Sequence, residues 1–259
     1  MPPPRTTDTM TRPNSPSREK EGWEGEGQPA SSPPPSPAAL YRLLAWLSPG
    51  FPVGAFSYSH GLEAAADSGA VRNRASLQAW TATIVTRGSG RTDADILRDA
   101  YRAAECGDLA ALRVANRRGL AYRATAELAL ETAAQGAAFV ATCRAAWPGE
   151  LLDRWAATGD DVCYAAAVGA AAAGAGIALG DALVGYLQAM AANLVSAGLR
   201  LGLVGQTDGQ RILAALEPVV IAAAAAAVGR GPADFGSATF VVDLASMAHE
   251  TQYTRLFRS

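Results

Sequence analysis

Apolar side chains recur along residues 38–253 at three- and four-residue steps, and β-branched alternation is nearly absent. That period marks one face of a helix, and the abundance of Ala favours the same state. The pattern predicts helices over 38–47, 57–68, 75–87, 93–106, 108–118, 122–146, 160–175, 181–203, 208–216, 218–228 and about 237–253. In 181–203, Leu183, Leu187, Met190 and Leu194 form one core-facing stripe. Asp160 and Asp181 are placed to favour helix N-termini. Gly205 ends one helix, and Thr207 with Gln210 reads as a capping box for the next. Pro218 fits the first turn of a further helix. The expected fold is all-α: a single compact helical domain of about ten helices over residues 38–259.

Residues 162–180 and 182–199 are uncharged runs of membrane-spanning length. They consist largely of Ala and Gly, Asp181 lies between them, and no aromatic belt flanks them. Small residues let helices approach closely. These runs are read as a tight soluble bundle with no membrane span.

Ahead of them, residues 1–37 hold ten of the 15 prolines and almost no large apolar side chain. Such a segment cannot offset the entropy of ordering, so a disordered tail is expected. It has no apolar h-region, so it is not read as a secretory signal, and a cytoplasmic location is expected.

Charge excludes several functions. The net charge of −2 gives no case for nucleic acid. The only lysine is Lys20, so no phosphate-binding Gly-x-x-x-x-Gly-Lys-Ser/Thr loop is present. Cys106, Cys143 and Cys163 are scattered and read as buried helical thiols. With no Cys-x-x-Cys and two histidines in all, neither a zinc site nor any other metal or cofactor site is expected. His249-Glu250 opens like a zinc-protease motif, but Tyr253 stands where the second His belongs. No Gly-x-Ser-x-Gly elbow is present. A catalytic use is left only as an alternative: a small helical hydrolase or lyase with His60 or His249 as acid/base.

What remains is interaction surface. Residues 48–63 (Ser-Pro-Gly-Phe-Pro-Val-Gly-Ala-Phe-Ser-Tyr-Ser-His-Gly-Leu-Glu) form a loop that is apolar where loops are polar, then a helix N-terminus. Ser57 is the expected N-cap, placing His60 and Glu63 on one helical face. Phe56 is expected inward as a hydrophobic staple and Phe51 outward. Gln206 and Arg211 are left unexplained by the capping box. Tyr253, Leu256 and Phe257 alternate with Arg255 and Arg258, the composition of binding hot spots. Docking of this segment on its own domain is the other reading.

Three of these blocks, 48–63, 205–211 and 243–259, together with Glu131-Thr132-Ala133-Ala134-Gln135-Gly136, stand in the order of the UreF family. The chain resembles that family of urease accessory proteins over residues 40–259. The resemblance implies a non-enzymatic assembly factor that joins UreD (also called UreH) and the GTPase UreG. With them it would deliver nickel to urease apoprotein as a homodimer whose C-terminal region orders against UreD. On this reading the partner-binding residues are Phe51, Pro52, Tyr58, His60, Glu63, Gln206, Asp208, Arg211, His249, Glu250, Tyr253, Arg255, Leu256 and Phe257.

Overall fold

The computed structural model describes residues 1–4 and 36–259. The tail expectation therefore falls almost wholly outside the described residues. Among those residues the secondary structure is helical, with no strand. In chain order the helices are α1 (Pro37–Trp46), α2 (Leu62–Asp67), α3 (Arg74–Arg87), α4 (Ser89–Glu105), α5 (Leu109–Ala121), α6 (Ala126–Ala146), α7 (Glu150–Ala156), α8 (Tyr164–Gly174), α9 (Leu179–Arg200), α10 (Gln206–Gly229) and α11 (Phe240–Glu250). Pro37, assigned by sequence to the tail, instead opens α1, with Ser36 as its N-cap.

α4 is the central post. It packs most extensively against α8, and α3, α5, α9 and α10 also lie against it. The uncharged run from residue 162 supplies α8, whose residues Ala165 to Ala172 are all buried. Small side chains are what the packing needs: a Cβ on Gly169 would stand 2.3 Å from the Leu97 carbonyl oxygen of α4. α9 is apolar enough to cross a membrane by length and composition, but it buries Leu183, Leu187 and Leu194 in the core. The predicted stripe thus holds, with Met190 half-buried at its edge.

Several boundaries differ from expectation. α10 runs unbroken through Pro218, so no new helix begins there. Pro218 and Ala214, the residue whose carbonyl loses its partner, are both exposed, so water can satisfy the freed acceptor. α10 starts at Gln206 with Gly205 as N-cap and no side-chain cap, so Thr207 lies inside the helix and the capping box does not form. Asp160 lies outside α8 and pairs with Arg113 at 2.6 and 3.0 Å. Asp181 does sit in the first turn of α9. Of the three thiols only Cys143 is a buried helical one; Cys163 is the N-cap of α8, and Cys106 is exposed at the end of α4.

Candidate functional site

The loop from Ser48 to Gly61 does not form the helix start that its sequence suggests. Ala55–Ser57 make one turn of 3-10 helix, then His60 and Gly61 take left-handed φ values of 53° and 73°. Two consecutive left-handed residues cannot lie in an α-helix. α2 therefore begins at Leu62 with Gly61 as N-cap, and Ser57 caps nothing. Gly61 is required twice over. Besides its φ, a Cβ there would lie 2.6 Å from the Ser246 backbone nitrogen of α11.

This close approach brings α2, α6 and α11 around one buried polar knot. His249 is fully buried, and both ring nitrogens face carboxylates: Nδ1 lies 2.7 Å from Glu127 Oε2 and Nε2 3.1 Å from Glu63 Oε2. Glu63 also accepts from the backbone N–H of Leu256 (2.7 Å) and Phe257 (2.9 Å). Arg255 donates to Glu127 at 2.6 Å. Glu250 accepts from the N–H groups of Ala126 and Glu127, satisfying orphan donors at the start of α6. The second histidine lies nearby in the network. His60 Nε2 is 3.1 Å from Glu131, which also accepts from Gln135 and from the Ser259 hydroxyl. Burial alone would lower the His60 imidazole, but the charge and hydrogen bond of Glu131, with Asp93 behind, hold it above its ordinary value.

The last residues are thus docked on their own domain. Phe257 is buried with the Arg200 guanidinium 4.4 Å from its ring centroid, and Arg258 N–H donates to the Ser57 carbonyl. Tyr253 and Leu256 remain exposed.

The structure separates the expected partner-binding residues into two groups. Phe51, Tyr58, Glu63, His249 and Phe257 are buried and face inward. Phe51 and Phe56 reverse the expectation: Phe51 packs on Phe139 at 5.3 Å and beside Trp147, whereas Phe56 is 66% exposed. Tyr58 gives its carbonyl to Asn193. Pro52, Gln206, Arg211, Glu250, Tyr253, Arg255 and Leu256 are exposed. Arg211 is paired with Asp208 at 3.0 Å, and Asp208 also lies 3.5 Å from Arg74. Residues 206–211, the first turns of α10, are no part of the knot.

Sequence reasoning missed Glu127 and Arg123, and it did not assign Glu131 or Gln135 to the site. The i,i+4 spacing of Glu131 and Gln135 on an otherwise Ala-rich helix was the available signal. Arg123 pairs with Asp93 at 2.8 Å in the floor of a cavity of about 400 Å³ under the 48–56 loop. Burial pulls the Arg123 guanidinium down, and Asp93 more than restores it. Burial pushes the Tyr164 and Tyr186 phenols up, so both line that cavity as protonated donors.

Comparison with known proteins points one way. The UreF family profile matches residues 71–217. A urease accessory protein UreF of Bradyrhizobium sp. (strain ORS 278) is 51% identical over 222 residues, covering 86% of this chain and 92% of that protein. One from Rhodopseudomonas palustris (strain TIE-1) is 48% identical over 237 residues, covering 90% and 99%. One from Azorhizobium caulinodans (strain ORS 571) is 49% identical over 225 residues, covering 86% and 97%.

Proposed function

The chain belongs to the UreF family of urease accessory proteins, and from that premise we propose that it is an adaptor joining UreD (UreH) and the GTPase UreG on urease apoprotein during nickel insertion. As a family of accessory proteins, this is not a family of enzymes. The alternative of a hydrolase or lyase is set aside with it. His249 has no solvent access and both its nitrogens already face carboxylates, which leaves no nitrogen for a substrate.

One observation carries the adaptor reading. α11 turns Val242, Ser246 and His249 into the domain and leaves several large apolar side chains outside. Phe240, Val241, Leu244 and Met247 are 73%, 65%, 47% and 48% exposed, at i, i+1, i+4 and i+7. An apolar helical stripe left to solvent is the form in which helices present anchors to a groove. Exposed Tyr253 and Leu256 extend it past the helix. UreD is the partner we assign to this stripe. The outer face of α10, with Ile221 and Val228 exposed, supports a homodimer, and a cytoplasmic setting belongs to the same reading.

The test is the double change Leu244→Asp with Met247→Asp. Co-purification with UreD and urease maturation should both be lost, with little change in melting temperature because both side chains are half in solvent. Retained co-purification overturns the assignment.

A further inference from the structure

The cavity beneath the 48–56 loop is left unused by the adaptor reading. Its volume, about 400 Å³, lies in the range of small-ligand pockets. Phe51, Val53 and Phe56 of the loop and Met190 of α9 give it an apolar side. The opposite side is polar, and its acids face partners, with Asp93 Oδ1 in ion-pair contact with Arg123 but accepting no hydrogen bond. Asp93 is paired with Arg123 and accepts from the Tyr186 hydroxyl at 2.9 Å. Glu131 accepts from His60 and Gln135.

The capacity left over is donor-rich. Arg123 spends Nε on the Gly119 carbonyl and Nη2 on Cys163 and Asp93, and its Nη1 has no hydrogen-bond partner among the described residues. The Tyr164 hydroxyl likewise has none, and burial keeps its proton on. Both residues line the cavity, so an acceptor bound there can take up these two free donors. Arg123 supplies positive charge, but Asp93 beside it opposes a multiply charged anion.

We propose that this cavity is a binding site for a small monocarboxylate with an apolar body. The carboxylate oxygens bond to Arg123 Nη1 and the Tyr164 hydroxyl, and the body lies under Phe51, Val53 and Phe56. The site is distinct from the outward stripe of α11, none of whose residues line it.

Isothermal titration of the full chain with benzoate tests this, with benzamide as the uncharged probe of the same shape. Benzoate should bind saturably and at least about tenfold more tightly than benzamide, because a charge-assisted bond to Arg123 is lost with the charge. Tyr164→Phe removes only the hydroxyl and should weaken benzoate about tenfold with the fold intact. Met190→Trp fills the apolar side and should abolish binding. No saturable binding up to about 10 mM benzoate overturns the proposal. So does equal affinity for the two probes, or unchanged benzoate affinity in Tyr164→Phe.

Discussion

Two segments stand out in the sequence, and the fold treats them oppositely. His249 and Phe257 are drawn inside, His249 between Glu63 and Glu127 from two other helices and Phe257 with its backbone N–H on Glu63. The first turns of α10, residues 206–211, stay at the surface, where Asp208 and Arg211 pair with side chains 40% and 62% exposed. Both contain charged groups within hydrogen-bond reach. The difference is solvent. A pair in water loses little when broken, because water replaces either partner. A group buried among carboxylates has no such replacement, so its removal strands the charges around it. The knot therefore belongs to folding, and the Asp208–Arg211 pair is left in solvent.

Three changes probe that contrast. The largest effect should come from His249→Ala, which leaves buried Glu63 and half-buried Glu127 facing an empty space. It should cost about 3–5 kcal/mol in denaturant unfolding and loosen residues 251–259, read as faster proteolysis there. A loss under about 1 kcal/mol would show that the knot carries no more than a surface pair. A smaller effect is expected from pH at His60. Its folded imidazole titrates above the ordinary 6.5 because of Glu131. The stabilisation is thus complete below about pH 6.5 and fades as pH rises through the higher folded value. The stability difference between the parent and His60→Gln should shrink over that interval, and a difference that grows with pH would refute the assignment. The smallest effect is Arg211→Ala, at most about 1 kcal/mol on stability. Partner co-purification should fall by more than this predicts. A melting shift with unchanged co-purification would make these turns structural only.

The same contrast explains what could be read before the structure. Helix type and the Leu183–Leu194 stripe were legible because a 3.6-residue period is local. So was the role of the Ala- and Gly-rich run as a close-packed helix. α7 was missed: it is short, and Pro148-Gly149 just before it reads as a break. The start of α2 was misplaced because nothing local reveals that His60 takes a positive φ, or that the α11 backbone, 185 residues on, lies against Gly61. Phe51 and Phe56 were exchanged for a related reason. A staple is a local device, but the rings that claim Phe51 are Phe139 of α6 and Trp147 at its C-cap, far along the chain, with Trp46 of α1 packed on both. Nothing local on the Ala-rich α6 marks Glu127 and Glu131 as site residues, because their partners His249, Arg255 and Ser259 return only at the end of the chain.

Gly61 has a mechanical consequence. With no side chain between them, the backbones of α2 and α11 touch, and a single methyl at residue 61 would act as a wedge 2.6 Å from Ser246 N. α11 can then tilt or slide only by breaking that contact outright, not by side-chain adjustment. The helix that shows its apolar face to solvent is thereby mounted like a fixed jaw. Position 61 is the point where its seating can be changed from behind, with every atom of its outer face left in place.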